Sequence, residues 1–264
     1  MEVLSAELPI RGNEPVNLYP LGDIHAGSIH CCEHDIQAKV REIANEPRAR
    51  WLGMGDYADC ILKDDKRFDG GGLAKWVKPD DIIESQRRWL KDLFLPIKGQ
   101  CLGMLTGNHE ETIHLRYQDD ITRHLCDDLG VPYAGYSCFL HLNIQNTSTQ
   151  RHSLLIHAWH GAGAAQSEGA RLLRLMRLVN DIQADGYLMG HLHAMTAHTP
   201  DRLIYEHGEI RSMKLAATIT GSWLKAYMQG GSTSYAERQG YRPSRIGCPV
   251  LKIYPKTCEI EVVS

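Results

Sequence analysis

The sequence predicts an α/β fold, and three observations carry that prediction. Short apolar runs, too brief for helices, alternate with segments whose apolar residues recur at the helical period. Run after run closes on Gly-Asp or on histidines beside glycine, where the chain can turn sharply at the edge of a sheet. The length, 264 residues, suffices to bury a full sheet between helices as one domain without disulfides or a structural metal. Periodicity alone draws a doubly wound sheet, with ligands expected at the carboxyl ends of its strands.

In chain order, the apolar run 16–21 ends in Gly22-Asp23-Ile24-His25-Ala26-Gly27. On an extended backbone, residues two apart share a side, so Asp23 and His25 are expected to reach one ion. Ile36, Val40, Ile43 and Ala44 follow the helical period and Pro47 closes a crossover helix over 33–45. The run 50–54 then leads into Gly55-Asp56-Tyr57-Ala58-Asp59, which completes a βαβ unit and places Asp23 and Asp56 at neighbouring strand ends. Residues 61–79, with Gly70-Gly71-Gly72 and mixed charges, read as a long loop that either lines a site or is merely solvated.

Asp80 and Asp81 open a helix that bears Ile82, Trp89, Leu90 and Phe94 and stops at Pro96. The buried strand 101–105 follows, and Gly107 turns its end so that Asn108, His109 and Glu110 stand at the rim of the sheet. One helix is predicted over 111–129, with His114 and His124 as surface or packing residues. Strands 136–144 and 153–159 bracket a polar turn, and the second ends in His157-Ala158-Trp159-His160-Gly161. The helix over 168–182 carries Arg171, Arg174 and Arg177 as a solvent-facing stripe. Strand 187–189 leads into Gly190-His191-Leu192-His193, strands are expected at 203–206 and 214–220, and 250–254 with 260–263 form a closing hairpin.

Composition excludes little but localises charge. With 43% hydrophobic and 23% charged residues and a net charge of −3, the chain presents no overall basic field for nucleic acid. The segment 221–254 is the exception: Lys225, Arg238, Arg242, Arg245 and Lys252 face only Glu237, and tyrosines are interspersed, which suits an anionic substrate. The eight cysteines show no metal-binding spacing and read as reduced, buried thiols. No run has the length of a membrane span, so a soluble, cytoplasmic protein without membrane partners is expected.

Five strand ends thus offer Asp23 and His25; Asp56; Asn108 and His109; His160 or His157; and His191 and His193. Imidazoles, carboxylates and an amide oxygen in that number are what a pair of borderline divalent ions requires, and a carboxylate such as Asp56 can bridge two ions roughly 3.5–4 Å apart. Water held between such ions becomes hydroxide near neutral pH, which favours attack on phosphorus.

The series Asp23-x-His25, Gly55-Asp56, Gly107-Asn108-His109-Glu110, His160-Gly161 and Gly190-His191-x-His193 resembles the calcineurin-like metallophosphoesterase superfamily. The resemblance covers 22–193 and implies a four-layer αββα sandwich, two mixed β-sheets flanked by helices, in a single domain over 1–264. Residues 200–264 would add closing strands and a substrate-binding segment. It implies that Asp23, His25, Asp56 and His193 hold one metal, that Asp56, Asn108, His160 and His191 hold the other, and that His160, which precedes Gly161, is the ligand rather than His157. His109 would protonate the leaving oxygen or stabilise the phosphoryl group, while Glu110 and Asp59 would orient imidazoles. Manganese is the expected metal, with iron, zinc or nickel also suited.

The Gly-Asn-His-Glu motif is similar to that of the Ser/Thr protein phosphatases, but those carry an arginine where this chain has Cys60. That departure points to the phosphodiesterase and nuclease branch, with a nucleic acid or nucleotide substrate. A phosphomonoesterase or Ser/Thr-type protein phosphatase is the alternative.

Overall fold

Alternation of side chains decides where each strand buries its two faces. In the run Val16–Leu21, Leu18 enters one core while Tyr19 and Leu21 enter another; in Ala49–Gly53, Leu52 and Trp51 divide in the same way. A strand buried on both faces reads as a continuous apolar run, and such runs were the ones visible in the sequence. The computed structural model describes residues 1–9, 14–145, 151–206, 208–230 and 233–264. The polar turn predicted after strand 136–144 lies mostly outside the described residues.

In chain order the elements are β1 (Glu2–Pro9), β2 (Val16–Leu21), α1 (Glu33–Ala44), β3 (Ala49–Gly53), α2 (Ile82–Phe94), β4 (Cys101–Met104), α3 (Asn108–Tyr117), α4 (Ile121–Leu129), β5 (Ser137–Gln145), β6 (Arg151–Trp159) and α5 (Glu168–Asp181). They continue with β7 (Gly186–Met189), β8 (Met195–His198), β9 (Asp201–Glu206), β10 (Glu209–Lys214), β11 (Ala216–Thr220), α6 (Tyr235–Arg238), β12 (Val250–Tyr254) and β13 (Glu259–Val263). The strands form not one sheet but two large mixed ones. The first runs β1-β5-β6-β7-β11-β8, the second β13-β12-β2-β3-β4, and β9 pairs with β10 as a separate ribbon.

The two sheets share a core built from Leu18, Leu52, Leu102 and Leu251 on one side and Leu140, Leu142, Ile156 and Leu188 on the other. The outer face of the second sheet is covered by Ile36, Val40 and Ile43 of α1, Leu90 and Phe94 of α2 and Leu125 of α4. The outer face of the first packs Tyr187, Met189, Ala217 and Ile219 against Leu175 and Val179 of α5. The molecule is therefore an α/β sandwich, and the doubly wound single sheet drawn from periodicity is corrected. The reason is that pairing partners are set by non-local contacts, which period-2 patterns do not encode.

One further expectation is corrected, and two strands are added. The single helix over 111–129 is two: Gln118 takes a left-handed φ of 58° and ends α3, and the Asp120 carboxylate caps α4 by accepting the Arg123 N–H at 3.0 Å. Strand β1 was not foreseen, because its exposed edge residues interrupt the apolar pattern; it pairs in parallel with β5. Nor was β8, a short strand antiparallel to β11. All eight cysteines are free thiols, and no helix among the described residues is long and apolar enough to cross a membrane.

Candidate metal centre

The parallel pairings β2 with β3 and β3 with β4 bring three carboxyl ends to one edge of the second sheet. The parallel pairing of β6 with β7 does the same on the first sheet. Where the two edges meet, the side chains converge in three overlapping groups: Asp23, His25 and His193; His25, Asp56 and His109; and Asp56, His160 and His191, each with its ligand-type atoms within 4.8 Å of one another. His25 joins the first group to the second and Asp56 joins the second to the third, so the three form one chain. Asn108 Oδ1 completes the second side, 2.7 Å from His191 Nδ1 and 3.1 Å from His160 Nε2. Every ligand that the resemblance implies lies in this assembly. His157 does not: it is buried on β6 against Phe139, with neither ring nitrogen in a hydrogen bond.

Backbone geometry at the centre is unusual. Asp23, His25, Asp56, His191 and His193 have φ of 50°, 52°, 51°, 67° and 46°, so five of the eight non-glycine residues in the left-handed region, among the described residues, are candidate ligands. Each such residue costs about 1–2 kcal/mol, a strain that persists only where the surroundings enforce it and that clusters at functional sites. This also corrects the argument for Asp23 and His25. Their shared direction comes from two left-handed turns rather than from strand alternation. Close packing explains the glycines between: a Cβ on Gly107 would lie 2.1 Å from both the backbone N and Oδ1 of Asp56.

Hydrogen bonds to backbone carbonyls fix two of the rings. His160 Nδ1–H donates to the Met54 carbonyl at 2.7 Å, leaving Nε2 facing Asp56 Oδ2 at 3.4 Å. His191 Nε2–H donates to the Gly163 carbonyl at 3.0 Å, leaving Nδ1 toward Asn108. His25 Nδ1 faces Asp59 Oδ1 at 3.5 Å while its Nε2 lies 3.1 Å from His193 Nε2, which is itself 3.3 Å from Asp23 Oδ1. His160 and His191, locked by carbonyls with their free nitrogens turned toward Asp56 and Asn108, are arranged as metal-binding histidines are. The donor set is nitrogen and oxygen only, since burial together with Glu110 and Asp59 pushes the Cys60 thiol well above its ordinary pKa. Such a set fits borderline divalent ions.

Glu110 acts otherwise than expected. It touches no imidazole; its buried carboxylate accepts the N–H groups of Asp56 at 3.0 Å, Ala58 at 2.9 Å and Gly107 at 3.1 Å. It thereby ties the turn after β3 to the first turn of α3, and His109 N–H donates to Asp56 Oδ1 at 2.9 Å. Sequence reading also missed Ser222 and Trp223. The Ser222 hydroxyl and the Trp223 N–H both donate to the Asp23 carbonyl at 2.9 Å. They follow an apolar run and a glycine like the other motifs, but without a ligand-type side chain nothing distinguished them. Gln86, from α2, holds the Cys60 N–H at 3.1 Å and was equally invisible.

Charge coupling is strong. Burial works to raise Asp56, but the charges of His160 and His109 hold its carboxyl well below the usual range. Burial works to lower His160, but the charge of Asp56 and its hydrogen bond prevail and push the imidazole up to about 10. Its protonation stabilises the metal-free fold fully below the unfolded value near 6.5, and this contribution is lost as pH rises through about 10. Metal loading at pH 7 should therefore expel the His160 proton. Calorimetric titration with Mn²⁺ in buffers of differing ionisation enthalpy is expected to show at least one proton released per chain, and binding that strengthens with pH. Zero release would mean that His160 is already neutral at pH 7 in the metal-free protein.

The assembly opens into a cleft of about 760 Å³ whose walls come from Lys66–Asp69, from Gly163–Gln166 with Arg171, and from the segment after Leu224. The loop 61–79 thus lines the site, and Arg67, held by Asp65 through Nε at 3.1 Å and Nη2 at 2.9 Å, places Nη1 3.4 Å from His109 Nε2. Of the basic segment, Lys225, Arg238 and Arg242 reach the cleft, whereas Arg245 and Lys252 do not line it. The arginine stripe is not simply solvated, since Arg171 Nε–H and Arg174 donate to the carbonyls of Ala165 and Ala162.

Fold and site together define an α/β sandwich with a buried His/Asp cluster at the edge shared by two sheets. Neither a family model nor a curated protein matches the sequence. Among solved structures the chain is similar to GAP50, the anchor in the inner membrane complex of Plasmodium, with 13% identity and a TM-score of 0.45 over 95% of this chain and 89% of that one. Similarity at that level speaks to neither chemistry nor partners.

Proposed function

We propose that this chain is a two-metal phosphoester hydrolase of the calcineurin-like metallophosphoesterase superfamily, its two sheets and outer helices forming that superfamily's four-layer αββα sandwich, and that it acts on phosphodiesters of nucleic acid or nucleotides. The carrying observation is the position of Asp56 between the groups of His25 and of His160 with His191. Two divalent ions bound there, with manganese expected, would acidify a water for in-line attack and draw charge from the phosphoryl oxygens.

The chain's own residues divide the remaining work. Asp23, His25, Asp56 and His193 would hold one ion, and Asp56, Asn108, His160 and His191 the other. His109 Nδ1 is engaged by the Asp59 carbonyl at 2.5 Å, so Nε2 is the nitrogen left to carry a proton to the leaving oxygen or to meet phosphoryl charge. Cys60, buried and neutral, cannot grip a phosphate from the position where Ser/Thr phosphatases carry arginine. Arg67, reaching His109 from another segment, is the one observation that favours the second reading, a phosphomonoesterase or protein phosphatase.

Turnover of bis-p-nitrophenyl phosphate against the monoester by Mn²⁺-loaded protein, beside labelled single- and double-stranded DNA, separates the readings. A diester preference is expected, and a strong monoester preference would replace the first reading by the second. In the same assay His109→Asn is expected to retain metal and lose about 10²–10⁴-fold in turnover; undiminished turnover would take His109 out of the reaction.

A further inference from the structure

The cleft wall away from the ligand cluster is cationic in a chain whose net charge is −3. On one bank, Gly163 accepts from the candidate ligand His191 at 3.0 Å, and two residues on the Ala165 carbonyl accepts Arg171 Nε–H at 3.1 Å. Arg171 is therefore fixed one short backbone step from the metal cluster. Arg242 lines the same cleft, with Nη1 3.6 Å from Glu168 Oε1 on the first turn of α5. Glu168 lies one turn before Arg171 on α5, so this ion pair brings the Arg242 guanidinium to the turn that bears Arg171; burial first, and then the Arg242 charge, disfavours the charged form of Arg171. Glu168 is 87% exposed, and an ion pair so open to solvent contributes little and exchanges readily for a better anion.

On the other bank Arg238 pairs with Asp69 at 3.8 Å, again between exposed groups. The segment bearing Arg238 and Arg242 is thus tied to both sides of the cleft. The cleft, about 760 Å³, has the size of a small-molecule site. Two like charges on one bank of the cleft, beside a cluster that under the proposed function takes one phosphate, leave room and electrostatic demand for a second.

We propose that Arg171 and Arg242 form a second anion subsite, and that the substrate is a nucleotide-sized molecule carrying at least one phosphate beyond the one hydrolysed. This rests on the phosphoester-hydrolase reading for what occupies the ligand cluster. Guanidinium pairs bind phosphate through parallel, charge-assisted hydrogen bonds, which gives the subsite its selectivity for a phosphate over a neutral extension of the same size.

The test is calorimetric binding of adenosine 5′-monophosphate and adenosine 3′,5′-bisphosphate to Mn²⁺-loaded protein, since the base is common to both and only the second phosphate differs. Wild type is expected to bind the bisphosphate at least tenfold more tightly, about 1.4 kcal/mol. Arg242→Ala, an exposed substitution, and Arg171→Ala should each bring the ratio to within about threefold, about 0.7 kcal/mol. Equal affinities in wild type, or a tenfold ratio that survives in Arg242→Ala, would overturn the subsite. Hydrolysis of 5′-phosphorylated against unphosphorylated dinucleotide should follow the same preference, and faster cleavage of a DNA duplex than of either would overturn the size class. Absence of metal-dependent turnover of both p-nitrophenyl esters would sink the hydrolase reading, whereas the affinity ratio needs no turnover and decides the subsite separately.

Discussion

Asp56→Asn is expected to lower kcat/KM on any phosphoester by at least about 10³-fold, a loss of roughly 4 kcal/mol of transition-state stabilisation. The substitution keeps shape and removes charge. Asp56 stands in two of the three convergent groups, and its carboxylate faces His160 at 3.4 Å while accepting the His109 N–H at 2.9 Å. One neutral amide oxygen cannot serve two cations, so metal content measured on the purified variant should fall from two ions per chain to one or none. A second consequence distinguishes this from simple unfolding. The Asp56 charge and hydrogen bond are what raise His160, so in the variant the His160 pKa should drop and proton release on any remaining metal binding should diminish. Full activity with two bound ions would refute the bridging role.

Glu110→Gln carries the largest expected cost in stability. The carboxylate oxygens accept three buried N–H groups, those of Asp56, Ala58 and Gly107, and a glutamine must turn an NH₂ toward at least one of them. A buried donor left unsatisfied costs about 1–3 kcal/mol, and a donor facing a donor costs no less, so a loss of about 3 kcal/mol is expected. For a chain of this size that is a fall in Tm of about 6–12 °C by thermal melting. Activity should fall with it, because the turn that Glu110 holds is the one that positions Asp56 in its left-handed conformation. An unchanged Tm would mean that these N–H groups find other partners.

These two residues show how unevenly the sequence discloses its site. Asp56 announced itself by following an apolar run and a glycine, as did Asp23, Asn108 and His191, while His160 follows its run directly and precedes Gly161. Glu110 was visible in the same motif, yet its contacts were not: the carboxylate serves backbone groups of a turn that lies more than fifty residues earlier in the chain. Ser222, Trp223 and Gln86 hold ligand-bearing turns in place through Asp23 and Cys60, and carry no residue type that marks a site. Arg67 sat in a loop without periodicity, and only folding brought its guanidinium to His109.

The sequence by itself determined most of the alternation of strands and helices, the strand ends that bear the cluster, and its side chains apart from the choice between His157 and His160, because local apolar periodicity and turn chemistry are written in consecutive residues. Tertiary structure alone decided that the strands divide into two sheets, that β2, β3 and β4 of one meet β6 and β7 of the other at the cluster, and that His160 rather than His157 faces it. It also decided the left-handed backbone at five candidate ligands and the cationic wall of the cleft. The physical reason is the same throughout: these features arise from contacts between residues far apart in the chain, and a pattern of spacing records which face a side chain takes but not which distant strand it will meet.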